Sequence, residues 1–402
     1  MPQYLAPGVY VEEVPSAIKP IAGVGTSTAG FVGVVADDVT MPLLPGRSGV
    51  TANGDVEPTD FHPVALAGEA QLVDGWETFK SLFGDIQPGN HTLAHAVYGF
   101  FNNGGGRCWI TRVAPGDADA EPSDEDLTDA LETFTAIDEI ALVAIPGAVS
   151  DVVQTALLDH CENQYLQDRF AILDGRQTTT LTKAAIQGDV RDSSYGAIYY
   201  PWIDVGVTDA DGNPVYQPPS GHIAGVYARV DTERGVHKAP ANEVIRGALG
   251  VEKLVSKQQQ AGLNPDDINV IRKFDGNITI WGARTLAGKE QAEWRYISSR
   301  RLFNFLRESI DEGTQWVVFE PNAPELWSKI RRNVSAFLTT VWASGALLGN
   351  TPEQAFYVRC DETVNPAAVR DAGQLVVEIG VAMVRPAEFV VFRISQWAGG
   401  IQ

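Results

Sequence analysis

The sequence predicts an α/β layer with a largely parallel sheet over residues 61–235 and an α+β region in the last third. Three observations carry this. Between 61 and 235, short apolar runs alternate with amphipathic helical stretches. After 236, long helical patterns and strands are segregated. Strand-like segments also stand at both extreme ends of the chain, where most domains fray. With 402 residues, 44% of them apolar and 20% charged, there is material for two or three domains and a sizeable core.

Residues 1–20 carry Pro2, Pro7, Pro15 and Pro20 around the run Val9-Tyr10-Val11-Glu12-Glu13-Val14, so the run reads as a strand and not a helix. One short strand must pair with a sheet edge, in this chain or another. Gly30–Val35 is a core strand, and 37–60 is a loop rich in Pro, Gly, Asp and Thr. Thr92–Asn102 is helical and Arg107–Val113 a strand. Ser123–Ala136 is a helix opened by a capping box of Ser123 and Asp126. Strand Ile140–Ile145, helix Asp151–Gln164, strand Phe170–Leu173 and strand Ala197–Tyr200 follow, then a hairpin turning at Asp211-Gly212. Further on stand strand Ile278–Trp281, a helix over 291–311, strand Trp316–Phe319 and helix Pro324–Leu348. Strands near 355–360, 374–384 and 389–396 close the chain. The last has apolar residues on both faces: Phe389, Val390, Val391, Phe392 and Ile394.

Net charge is −21, from 30 basic and 51 acidic side chains, which argues against wrapping nucleic acid. The balance is uneven: residues 1–235 carry −22 and residues 236–402 carry +1. The first part reads as a strongly solvated surface, the second as one able to meet other protein surfaces. No apolar run approaches the ~18 residues that span a bilayer, and no signal peptide is expected. Cys108, Cys161 and Cys360 are too few for a disulfide framework and are expected as buried thiols in a reducing cytoplasm.

Motifs for chemistry are missing or broken. Gly282–Glu290 resembles a phosphate loop with one residue too many and Glu in place of the hydroxyl. Gly23–Thr28 lacks the third glycine of a dinucleotide fingerprint. His91 and His95 have zinc-ligand spacing without the Glu of a metalloprotease, so a structural role is expected. Asp209–Asn213 starts like a calcium loop, but Ser220 stands where the bidentate Glu belongs. The acidic stretch 117–139 reads as a solvated face. Ser16-Ala17-Ile18-Lys19 lies in the proline-flanked arm and not at a buried helix start. No catalytic residue, metal site or cofactor is expected.

Three stretches together carry a resemblance. The first is Leu5–Pro15 followed by Thr26–Gly33. The second is Pro218–Asp231 with Arg234–Asn242, and the third Trp281–Leu286 with Tyr296–Arg301. This set resembles the tail sheath proteins of contractile phages and phage-tail-like injection systems, in order and spacing from end to end.

The resemblance implies a structural protein that polymerises as stacked hexameric rings around an inner tube. Contraction then drives the tube through a target envelope, without nucleotide hydrolysis. It implies an assembly domain built from both chain ends, with an inserted middle domain that is subtilisin-like in fold and non-catalytic. The corresponding division is an arm at 1–20, core at 21–60, an outward-facing acidic insert at 61–235, core at 236–384 and an arm at 385–402. Partners so implied are further copies of the chain, the inner tube protein, baseplate and terminal cap proteins, with sheath paralogues as further candidates. Assembly is expected in the bacterial cytoplasm, as part of a phage tail or a contractile particle, with no membrane insertion. The chain is shorter than many phage sheaths, which favours a compact injection system.

In the family, both arms add strands to the sheets of neighbouring subunits. Here these are Val9, Tyr10, Val11, Glu12 and Val14 at one end and Phe389, Val390, Val391, Phe392 and Ile394 at the other. The family grips its tube through polar contacts of the C-terminal core, and Lys329, Arg331 and Arg332 are the candidates to face it. Arg300, Arg301 and Arg307 form a second basic cluster. The alternative is a hydrolase on an α/β scaffold, marked by a Ser–His–Asp geometry. A third class is an adhesive module that binds a ligand without forming polymers.

Overall fold

The apolar run after Thr28 forms strand β1 (Ala29–Val34), and the main sheet is laid down on both sides of it. In the computed structural model, residues 20–51, 55–115, 122–289 and 291–393 are described. They fall into two compact units, one of 20–23 with 309–382, the other of 24–308 with 383–393.

In the larger unit, β1 is followed by β2 (Ala70–Val73), α1 (Trp76–Phe83), α2 (His91–Asn102) and β3 (Cys108–Val113). Then come α3 (Asp124–Glu132), β4 (Leu142–Ala144), α4 (Asp151–Glu162), β5 (Phe170–Asp174), α5 (Lys183–Gln187) and β6 (Gly196–Tyr200). Next are β7 (Ile203–Asp204), α6 (Ser220–Arg234), β8 (Glu243–Val244), β9 (Gly250–Val251) and α7 (Lys257–Leu263). Strands β10 (Ile268–Phe274) and β11 (Asn277–Ile280) precede α8 (Ile297–Thr314), on which the boundary between the units falls.

The sheet order is β2-β3-β1-β4-β5-β6-β10-β11-β8. Strands β3 through β10 run parallel, and β2, β11 and β8 pair antiparallel at the margins. Central strands β5 and β6 are buried throughout, as expected of parallel strands covered on both faces. Successive residues point to opposite faces. Phe31, Phe170, Ile172 and Tyr199 pack with Leu93, Val97 and Phe100 of α2 and Ile223 and Tyr227 of α6. Val32, Ala171, Leu173 and Ile198 pack with Leu127 and Leu131 of α3 and Val153, Leu157 and Leu158 of α4. The result is a mixed sheet between two helical layers. Strands from the stretches 21–60, 61–235 and 236–384 all enter it, because β10 pairs with β6 at Ile268↔Ile198.

Helix α6 crosses α2 at very short range. A Cβ at Gly221 would stand 2.4 Å from the Ala96 carbonyl oxygen, and one at Gly225 would stand 2.3 Å from that of Phe100. Only hydrogen fits at either place.

The smaller unit is organised by α9 (Pro324–Ala343). Its Leu326, Ile330, Val334, Phe337, Leu338 and Val341 form the buried stripe that the helical spacing predicts. Helix α10 (Pro352–Ala355), strand β12 (Phe356–Arg359), helix α11 (Ala367–Asp371) and strand β13 (Glu378–Val381) follow. Strands β12 and β13 pair antiparallel, with Tyr357 and Arg359 both reaching Glu378. The fully buried Asn365 ties the connection by giving and taking a hydrogen bond with the Val376 backbone.

Several expectations are corrected. Trp316–Phe319 is not a strand. Gln315–Val317 is a 3-10 turn, and Phe319 takes a left-handed φ of 68° with its side chain fully exposed, so no neighbour pairs the segment. The helix expected at 291–311 begins at Ile297, after a separate 3-10 turn at Ala292–Trp294. Residues 384–393 form no strand. The run 9–14 and Ile394 lie outside the described residues.

Candidate functional site

The described part of the C-terminal segment is exposed and apolar: Phe389, Val390, Val391 and Phe392 are 67–84% accessible. The residue just before them is held firmly. Glu388 accepts from Arg284 Nε at 2.9 Å on one oxygen and from Arg284 Nη2 at 2.9 Å on the other. Asn264 Nδ2 donates to it at 2.7 Å and the Tyr296 hydroxyl at 3.0 Å. Burial works to raise the Glu388 pKa, but the Arg284 and Asn264 hydrogen bonds prevail and hold it below the usual carboxylate range.

Local structure sets Arg284 for this role. Its backbone N–H donates to Asn269 Oδ1 and its carbonyl accepts from Asn269 Nδ2, so β10 fixes the loop after β11. Gly282 is needed there, since a Cβ would stand 2.7 Å from Asn269 Oδ1. Arg284 Nη1 also donates to the Asn264 carbonyl.

A second anchor lies where the chain enters this unit from its N-terminal side. Thr26 Oγ1 donates to Asp231 at 2.6 Å, and Arg301 donates to both Asp231 oxygens and to the Thr26 carbonyl. The Arg301 guanidinium lies 4.8 Å from the ring centroid of Tyr227, whose hydroxyl meets that of Tyr199. Arg300 stacks on Trp294 and Tyr195 and donates to Ser194. Arg307 bonds Gln167. The basic cluster expected at 300, 301 and 307 is therefore not a surface patch, because Arg300 and Arg301 are buried in aromatic and ionic contacts.

On α9, Lys329 and Arg332 are exposed. Arg331 is half-buried and donates to the Cys360 carbonyl at 2.7 Å, which gives it an internal task.

Ser220, His222 and Asp174 are near in sequence or space, yet they do not form a triad. Ser220 Oγ donates directly to Asp174 at 2.7 Å, with no imidazole between them. Burial pushes Asp174 up to about 6, against the lowering effect of hydrogen bonds from Ser220 and the Gly147 N–H. The His91 and His95 rings pack edge to face at 4.8 Å, and burial lowers both. Among the described residues no group of His, Cys, Asp and Glu could hold a metal, and no helix is long and apolar enough to cross a membrane.

Family models for the phage tail sheath protein central domain and the phage tail sheath C-terminal domain match residues 120–286 and 289–396. A solved chain of the anti-feeding prophage helical sheath in its contracted state is 31% identical, with a TM-score of 0.74 over 97% of this chain and 99% of that one. The chain belongs to the phage tail sheath family. A chain of an extracellular contractile injection system sheath complex, also contracted, is 29% identical over 99% of both, with a TM-score of 0.74. A prophage major tail sheath protein of Pseudomonas aeruginosa is 27% identical over 56% of this chain and 58% of its own length. The tail sheath protein of Vibrio phage KVP40 is 30% identical over 45% and 28%. The chain thus spans a little over half, or less, of these curated relatives. The family is one of structural proteins and not of enzymes, and the hydrolase alternative gains no support.

Thr26, Asp231, Arg284, Tyr296 and Arg301 of the two anchors fall within the stretches that carried the family resemblance, while Asn264 and Glu388 lie outside them. Reading them singly missed that they pair across separations from 70 residues, for Arg301 with Asp231, to 275 residues, for Arg301 with Thr26.

Proposed function

We propose that this sheath protein polymerises as stacked hexameric rings around an inner tube, and that contraction drives the tube through a target envelope. The likeness from end to end with contracted sheaths, over 97–99% of this chain, carries the reading. The 1–20 and 385–402 arms add strands to neighbouring copies, through Val9–Val14 and Phe389–Ile394. The exposure of Phe389–Phe392 supports this, since four adjacent apolar side chains in water have burial still to gain.

Lys329 and Arg332 face the tube, and weak polar attachment suits a sheath that must release it. The acidic 61–235 region points outward and keeps particles apart. Baseplate and cap proteins bind the ends of the polymer. The particle assembles in the bacterial cytoplasm and acts as a phage tail or a released contractile device. Electron microscopy of the purified protein tests this. Tubes or stacked rings are expected, and a uniformly monomeric sample across conditions would contradict it.

A further inference from the structure

We propose that Glu388 is the positioning residue of the C-terminal arm: its clamp by Arg284, Asn264 and Tyr296 fixes where, and in which direction, the exchanged strand leaves its own subunit. The inference rests on the reading that residues 389 onward pair with a neighbouring copy.

The geometry makes the case. Immediately after Glu388 the chain turns apolar and exposed. At Glu388 itself both carboxylate oxygens are engaged, each by one Arg284 nitrogen and one further donor. The pair is mostly buried, with side-chain exposures of 11% and 20%. Arg284 is fixed in turn through Asn269, which sits in β10 and also donates to the Ile198 carbonyl of β6. The root of the arm is thereby tied to the centre of the main sheet.

A strand that must find an edge on another molecule is helped by a fixed point of departure. Fewer arm conformations are searched, and the effective concentration of the strand at the neighbour rises. Loosening the root leaves the strand sequence intact but spreads its positions.

The test uses the full chain. Spin labels at Ala387→Cys and Tyr165→Cys, both exposed, report the distance from arm root to body. The native cysteines are buried, so labelling is selective. With Glu388 present the distance distribution is narrow. Glu388→Ala is expected to broaden it at least twofold, and without labels to lower the yield of sheath polymer at least tenfold with unchanged circular dichroism. Tyr296→Phe, which removes one donor and keeps the ion pair, is expected to shift both readouts in the same direction by a smaller factor, and it serves if the alanine variant fails to fold.

A distribution that stays narrow in Glu388→Ala overturns the clamp. A broadened distribution with full polymer yield overturns its role in assembly. A chain truncated after Ala387 separates the two ideas. If it polymerises as well as the full chain, the exchanged-strand reading fails whatever Glu388 does.

Discussion

Arg301 and Asp231 face each other across 70 residues of sequence as a bidentate ion pair, at 2.9 and 2.5 Å, with side chains only 3% and 5% exposed. The same pair holds Thr26 by its hydroxyl and its carbonyl, which joins α8, α6 and the segment leading into β1. Removing one partner of a buried pair strands the other charge. Asp231→Ala is therefore expected to destabilise the chain by about 3–5 kcal/mol, read from denaturant midpoints. A loss below 0.5 kcal/mol would contradict the structural weight given to the pair.

Two helical glycines, Gly225 at the crossing of α2 and α6 and Gly262 in α7, should respond in opposite directions to a methyl group. At Gly225 a methyl group would strike the Phe100 carbonyl oxygen, so Gly225→Ala should cost about 3 kcal/mol. At Gly262 in α7 nothing lies within 4 Å, so Gly262→Ala should stabilise by about 0.5–1 kcal/mol through helix propensity alone. Thermal unfolding of the two variants checks the signs.

Stability should fall in acid. Burial lowers His160 and His222 from 6.5 to about 4, and Arg169 Nη1 lies 3.2 Å from His160 Nε2, where a neutral imidazole can accept a hydrogen bond from it. The unfolded chain then binds these protons first, so each histidine removes about 1.4 kcal/mol per pH unit as pH falls from 6.5 to about 4. Asp174 acts the other way. Its folded pKa of about 6 stands above 3.8, so it returns a similar amount as pH falls across that window. The net loss from these three groups is about 1.4 kcal/mol per pH unit between pH 6 and 4. His160→Gln, which keeps an acceptor for Arg169, should lower the measured slope by about that amount.

On α9 the tube-facing proposal separates three neighbouring cations. Reversing Lys329 and Arg332 to Glu should reduce co-purification of tube with sheath several-fold while leaving the melting temperature unchanged. Arg331→Ala should instead lower the melting temperature, because it gives up the bond to the Cys360 carbonyl. If the double reversal leaves tube recovery intact, this face does not touch the tube.

How much of this was legible in the sequence follows from burial. Helices α2, α4 and α9 each keep a polar face, so their periodicity shows. The Ser123–Asp126 capping box also reads directly and is present. Helix α6 was missed because Ser220 through Val230 are buried on all sides, polar residues included, which leaves no periodic contrast. Two of the polar residues there are satisfied by distant partners, Ser220 by Asp174 and Arg229 by Asn103, while His222 Nδ1 is buried without a hydrogen-bond partner. Strand β10 was missed because its run, INVIRKF, mixes charge and apolar residues, and its place beside β6 is a long-range pairing. Arg300 and Arg301 read as surface charge, yet they are buried by stacking and ion pairing, which a single sequence does not display. The Glu388 anchor joins residues 104 apart and had no local signal beyond the resemblance around Arg284 and Tyr296.

The most direct measurement is a high-resolution electron cryomicroscopy map of the assembled polymer in which both chain ends can be traced. The account predicts that residues after Glu388, and the run from Val9 to Val14, lie as added strands on sheets of adjacent copies. A map with both ends folded against their own subunit, and no strand crossing between copies, would contradict it.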